Sequence, residues 1–184
     1  MNTLFKYLIF SGILILFSYV VFRIIVRNDY LKKQKLTPVS YLLELIVFAA
    51  HANIMYLFIP VKWPNLPSLP ETMILKVIAV FLFCFGFIIL IVAWFRLGTA
   101  PSFGRDRNRL NTSGIYRYSR NPQLVGYGIL LTGFMFIFFS WYTLGWFIQY
   151  LIISYFMINS EEEFLSRKYG AEYKRYCKSV RRII

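Results

Sequence analysis

The stretch Leu110-Asn111-Thr112-Ser113-Gly114-Ile115-Tyr116-Arg117-Tyr118-Ser119-Arg120-Asn121-Pro122-Gln123-Leu124-Val125-Gly126 passes from a polar, turn-forming segment into a long apolar run. Ser113-Gly114 marks a turn. Pro122 suits the first turn of a helix, where a missing N–H does no harm. The start of such a helix has free N–H groups and a positive dipole end, which favour an anion. Arg120 beside it offers a planar fork that matches a carboxylate, or equally an interfacial arginine reaching for lipid headgroups. A short apolar hairpin then leads to Glu161-Glu162-Glu163-Phe164-Leu165, followed by Tyr169-Gly170, Tyr173 and Tyr176. These two polar pieces are expected to meet as one cytoplasmic cap on a membrane bundle.

Outward from this cap the chain is apolar. It has 184 residues, of which 58% are hydrophobic, 20% aromatic and only 16% charged, values that a soluble domain of this size rarely reaches. Five apolar runs occupy roughly residues 4–26, 39–61, 73–95, 124–139 and 141–158. About 20 apolar residues span a bilayer as a helix, so the last two runs are slightly short and suggest a tight hairpin bending at Ser140. The first run is long for a signal peptide and no small-x-small site follows it, so it reads as a retained helix. The expected fold is all-α: a polytopic bundle of about five transmembrane helices with a cytoplasmic loop and a C-terminal helix capping a site. Residues 1–184 form a single domain, with three N-terminal helices in 1–96 and the loop, hairpin and terminal helix in 97–184. The loop 98–119 is too polar and irregular to face lipid.

The formal net charge is +13, but its distribution argues for topology rather than nucleic acid. Of the 21 basic residues, 18 fall in three segments: 23–35, 96–120 and 167–182. Five spans place all three on one face, and the positive-inside rule makes that face cytoplasmic, with the N-terminus outside and the C-terminus inside. Attraction to anionic lipid headgroups accounts for the remainder, and no nucleic-acid recognition motif is present. The two cysteines, Cys84 and Cys177, lie in unlike surroundings, so neither a disulfide nor a CxxC site is expected. His51 is the only histidine, which leaves no ligand set for a conventional zinc site.

Several polar groups admit two readings each. Glu44 and His51 are seven residues apart and share a helix face; they form either a proton-handling pair or a pair satisfied inside the bundle. Gly126, Gly128 and Gly133 admit either a cofactor or a neighbouring helix. The run Glu161-Glu162-Glu163 either pairs with arginines on a solvated face or supplies a glutamate to hydroxyls or an amine. The tail from Phe164 has apolar or aromatic residues at Phe164, Leu165, Tyr169, Tyr173, Tyr176 and Val180, the spacing of an amphipathic helix with a break at Gly170. It is placed to lie over the mouth of the bundle or on the headgroups.

The pattern Leu-x-Thr-Ser-Gly-x-Tyr-x-x-x-Arg-Asn-Pro-x-x-x-Gly from Leu110, with Glu-Glu-x-x-Leu-x-x-x-Tyr-Gly-x-x-Tyr-x-x-Tyr-x-x-x-Val from Glu161, resembles the isoprenylcysteine carboxyl methyltransferase family. That family belongs to a wider group of integral membrane methyltransferases that includes the phospholipid methyltransferases. The resemblance implies S-adenosylmethionine as cofactor, held without a Rossmann fold, in keeping with the absence of a GxGxxG motif. By motif position it implies cofactor contacts from Asn108, Arg109, Leu110 and Asn111, from Tyr116, from Asn121, Pro122, Gln123 and Leu124, and from Glu161. It implies a lipophilic acceptor entering sideways from the bilayer, an isoprenylcysteine carboxylate in the first instance. Three positions depart from the family: Asn121 stands for a common His, Leu124 for a common aromatic, and Met157 for the arginine that binds the substrate carboxylate in eukaryotic members. Arg120 is the residue placed to take over that catalytic role. Other acceptors, a phospholipid amine or another oxygen or sulfur nucleophile, would call on His51 or Glu44 as base. The rival enzyme class is an NADPH-dependent membrane reductase, and a non-enzymatic docking cap is the third reading.

Overall fold

The computed structural model describes residues 3–58, 71–97 and 110–183. These form five long helices and no strand: α1 (Thr3–Lys33), α2 (Pro38–Leu57), α3 (Met73–Leu97), α4 (Pro122–Ile137) and α5 (Trp141–Ser179). The fold is the expected polytopic helical bundle. All but α4 are long and apolar enough to cross a membrane. At 16 residues α4 rises about 24 Å, short of a hydrocarbon core of about 30 Å.

Local sequence accounts for the helix ends. Thr37 caps α2, its Oγ1 accepting the Ser40 N–H at 3.3 Å, with Pro38 in the first turn. Ser140 and Thr143 form a reciprocal capping box at the start of α5, which turns the α4–α5 hairpin where the sequence places a bend. A π-helical turn over Val20–Val26 interrupts α1. The buried positions Tyr7, Ser11, Leu14 and Ser18 repeat at helical spacing; Phe22 and Val26 within the π turn and Asp29 beyond it take over. The wider turn shifts the phase, so the inward stripe keeps facing its partners along the whole rod. Buried Asp29 then ties α1 to α2, accepting from the Thr37 N–H at 3.0 Å and from the Ser40 hydroxyl at 2.5 Å.

Two seams hold the bundle. The first is backbone on backbone. A Cβ added at Gly86 of α3 would sit 2.5 Å from the Leu130 nitrogen and 2.6 Å from the Gly126 oxygen; one added at Gly133 would sit 2.8 Å from the Phe83 nitrogen. Buried Ala79 and Ala93 flank Gly86 at seven-residue spacing on the same stripe. Small residues thus let α3 and α4 touch, which decides Gly126 and Gly133 as helix-packing positions. Gly128 faces another way, against the Tyr150 ring of α5.

The second seam joins α2, α4 and α5 through His51, which is fully buried. Its Nε2 lies 3.1 Å from the Trp146 carbonyl and its Nδ1 lies 3.0 Å from the Tyr127 hydroxyl. A carbonyl only accepts, so Nε2 carries the proton and Nδ1 accepts from Tyr127. The Trp146 indole returns a bond to the His51 carbonyl at 2.7 Å, and the rings stack at 5.3 Å. His51 is therefore bonded to tyrosine and backbone, not to Glu44. At one end of the bundle, Tyr7, Phe58 and Tyr142 cluster through their rings, and Gln149 donates to Tyr7 and Ser11. The opposite end carries the charges.

Candidate functional site

At the charged end, α5 continues far past the bilayer. Its 39 residues make about 58 Å of helix along the contour, nearly twice what a span needs. The sequence suggested a break at Gly170, and the backbone leaves helical geometry there, with φ 47° and ψ −115°. The positive φ is one that glycine adopts without strain. Past this kink the helix lays Tyr173, Tyr176 and Cys177 against the start of α4.

The two polar pieces of sequence meet at this point. A short 3₁₀ turn, Gly114–Arg117, precedes α4 and buries Tyr116. The Tyr116 carbonyl accepts the Tyr176 hydroxyl at 2.7 Å, and the Tyr116 hydroxyl accepts the Gln123 amide at 2.8 Å. Arg120 follows. Its Nη1 lies 2.8 Å from Glu162 Oε1 in an ion pair, and the same nitrogen reaches Cys177 Sγ at 2.6 Å and the Tyr173 hydroxyl at 3.4 Å. Burial alone would lower the pKa of this guanidinium, but Glu162, Tyr173 and Cys177 together hold it above the usual arginine value, so it stays charged. Its Nε is buried and has no hydrogen-bond partner among the described residues.

The three consecutive glutamates fan out, because successive residues on a helix point about 100° apart. Glu163 grips Arg27 of α1 through two bonds of 2.7 and 2.8 Å and also pairs with Arg167. Glu162 holds Arg120 and Arg182. Glu161 faces the bundle, where it interacts electrostatically with Glu44 and with the Tyr30 hydroxyl; Tyr30 itself stacks on Phe164 at 4.4 Å. Pairing with arginines thus describes Glu162 and Glu163. Glu161 has no hydrogen bond or ion pair among the described residues. Glu44 lies on the α2 stripe between fully buried Ser40 and Val47, and meets Glu161 rather than His51.

The other candidate residues are distributed as follows. Asn121 and Pro122 are buried at the start of α4, with the Asn121 amide donating to the Arg182 carbonyl at 2.8 Å. Leu124 is buried, and its carbonyl accepts the Tyr150 hydroxyl at 2.5 Å. Asn111 reaches back to the Arg96 carbonyl at 3.3 Å, and Leu110 is half-buried beside it. Asn108 and Arg109 lie outside the described residues. Sequence reasoning missed Cys177 and Arg182. Cys177 is four residues from Tyr173, one turn along the inward face of the amphipathic tail, and that spacing was the available signal. Arg182 had none, since it follows the last helical residue.

Residues 74–172 match the family model described as phospholipid methyltransferase. This is more than half of the chain. The chain belongs to the phospholipid methyltransferase family. The family takes in the membrane methyltransferases related to isoprenylcysteine carboxyl methyltransferase that the two motifs resemble. No curated protein and no solved structure matches the chain. The region matched to the phospholipid methyltransferase family begins one residue into α3 and ends two residues past the Gly170 kink. It therefore contains the small-residue seam, Tyr116, Arg120 and all three glutamates. Glu44, His51 and Arg27 precede it; Tyr173, Cys177 and Arg182 follow it.

Proposed function

We propose that this protein transfers a methyl group from S-adenosylmethionine to a lipophilic acceptor that reaches the site from the bilayer. One observation carries the reading. The entrance of α4 and the exit of α5, both inside the family match, are joined by a sheltered, charged contact between Arg120 and Glu162 at 2.8 Å. The residues there suit such a cofactor. The buried Nε–H of Arg120 lacks an acceptor among the described residues, and a ligand carboxylate is one. Glu161, paired with no cation among the described residues, suits hydroxyls or an ammonium. Tyr116, Asn121, Pro122, Gln123 and Leu124 would line the remainder, with Leu110 and Asn111 at the rim and Asn108 and Arg109 by resemblance.

S-adenosylmethionine supplies an activated sulfonium methyl, so the protein's task is alignment more than proton transfer. Well-oriented partners gain on the order of 7–11 kcal/mol from proximity. Arg120, locked to Glu162, Tyr173 and Cys177, would fix one end of the nucleotide. The kinked end of α5, packed over the start of α4, would keep water from the site. The basic segments favour placing this end at the cytoplasmic face, with the N-terminus outside.

The acceptor is the open half of the reaction. Met157 stands where a cation would hold a prenylcysteine carboxylate, and the inward groups nearby, Glu44 and Glu161, are acidic. Both features disfavour an anionic acceptor and favour an amine or neutral nucleophile, for which Glu44 is positioned as base. Membranes incubated with methyl-labelled S-adenosylmethionine should yield a labelled, lipid-extractable product whose label resists mild base, as an N-methyl group does and a methyl ester does not. A base-labile label would restore the carboxylate acceptor. Purified protein that binds NADPH but neither S-adenosylmethionine nor its demethylated product would point to the reductase class and overturn the reading.

A further inference from the structure

We propose that residues 180–183 form a strap that gates the site between α4 and α5, with Arg182 as the positioning residue that latches it. The proposal rests on the nucleotide-binding reading above and adds a route of exchange to it. At Val180 the backbone turns extended, and the chain crosses the start of α4. The Arg181 carbonyl accepts the Arg120 N–H at 3.0 Å. The Arg182 carbonyl accepts the Asn121 side-chain amide at 2.8 Å. The Arg182 guanidinium grips both oxygens of Glu162, Nε lying 3.2 Å from Oε1 and Nη2 on Oε2. One short segment therefore occupies the main chain of Arg120, the side chain of Asn121 and the carboxylate of Glu162. Those are polar groups from both of the motifs that face each other across the site.

The two ion pairs on Glu162 differ in shelter. The side chains of Arg120 and Glu162 are 14% and 15% exposed, whereas that of Arg182 is 45% exposed. Water and salt reach the Arg182 pair and weaken it; they hardly reach the Arg120 pair beneath. Residues 181–183 are exposed, so the strap buries little and belongs to the low-stability end of the structure. It can lift while Arg120 and Glu162 stay paired, leaving the site organised when open. A nucleotide that uses the Arg120 and Asn121 amides must displace the strap to enter or leave.

The test uses the full chain in lipid nanodiscs, with S-adenosylhomocysteine as probe and its association and dissociation rates as readout. Arg182→Ala is expected to speed both by at least about fivefold, as removal of a gate does. Arg182→Lys, which keeps the charge but not the fork, falls between. Salt raised to about 1 M speeds release from the unaltered protein and leaves Arg182→Ala unchanged, because the latch is then already gone. Rates equal to those of the unaltered protein overturn the gate. So does faster release with unchanged association, which would make Arg182 a support for the bound ligand. If the unaltered protein binds no S-adenosylhomocysteine, the nucleotide reading fails, and the strap is judged separately. Hydrogen exchange of the Arg120 backbone amide, which the Arg181 carbonyl covers, should be faster in Arg182→Ala; equal exchange overturns the strap on its own.

Discussion

His51 and Arg120 are both polar side chains that pin helices together inside an apolar chain, yet one is closed and the other open. Both ring nitrogens of His51 are bonded, its carbonyl takes a bond from Trp146, and its ring is stacked. Every hydrogen-bonding group it brings into the bundle is used by the protein itself. Arg120 meets three neighbours through Nη1 on one side, while its Nε is buried without an acceptor among the described residues. A closed node stabilises and is complete. An open node in a charged, sheltered setting leaves a donor for something outside the chain, and buried donors are costly to leave unmade. The difference separates scaffold from site more sharply than residue type does, since a lone buried histidine is the more familiar suspect.

The largest expected effect lies at the open node. If the proposed nucleotide binds there, Arg120→Ala removes a charge-assisted donor to it and should weaken S-adenosylhomocysteine binding by about tenfold to a hundredfold, the range of a bond worth about 1.5–3 kcal/mol. Thermal stability should change little, because Glu162 keeps Arg182 and the strap is held by the backbone of residue 120 rather than its side chain. Isothermal titration beside a thermal melt checks both halves. An unfolded variant, or an unchanged affinity, would erase the distinction between the two nodes.

The closed node should show the reverse pattern. His51→Ala leaves the Tyr127 hydroxyl without its partner, at a cost of about 1–3 kcal/mol for a buried group left unsatisfied, and removes the ring stacked on Trp146. The melting temperature should fall, and the affinity of the protein that remains folded should not. A His51→Ala protein of normal stability that fails to methylate would instead make His51 the base that an amine acceptor needs, and would move it from scaffold to site.

Much of this arrangement was readable from the residues. The five helices follow from apolar runs, the starts of the last two from Pro122 and Ser140, and the kink from Gly170. The meeting of the two motifs follows from the hairpin between them. What was not readable has physical causes. The α3 stripe of Ala79, Gly86 and Ala93 sits in a helix that is apolar on every face, so no polar contrast reveals which side packs. The π turn in α1 leaves no compositional trace. Which glutamate of three meets Arg120 depends on the rotation of α5 within the bundle, which adjacent identical residues do not disclose. The partner of His51 depended on the packing of α4 and α5 rather than on spacing within α2.

The smallest effect is expected where a pair looks strongest on paper. Arg27 and Glu163 form a two-bond fork of 2.7 and 2.8 Å between α1 and α5, with Arg167 adding a second cation at 3.0 Å. The bonds from Arg27, and the charges of Arg27 and Arg167, hold the Glu163 carboxyl below the ordinary range despite some burial. Yet the Arg27 side chain is 36% exposed and that of Glu163 is 24% exposed. Solvent screens such a pair, and two long side chains lose freedom in making it. Glu163→Gln should therefore lower the melting temperature slightly in low salt and match the unaltered protein near 1 M salt, where screening reaches about 3 Å. Nucleotide affinity should be unchanged at both salt concentrations, because Glu163 turns toward α1 while Glu162 turns toward Arg120. A loss of affinity as large as that of Arg120→Ala would mean that the α1–α5 fork sets the rotation of α5, and with it which glutamate the site receives.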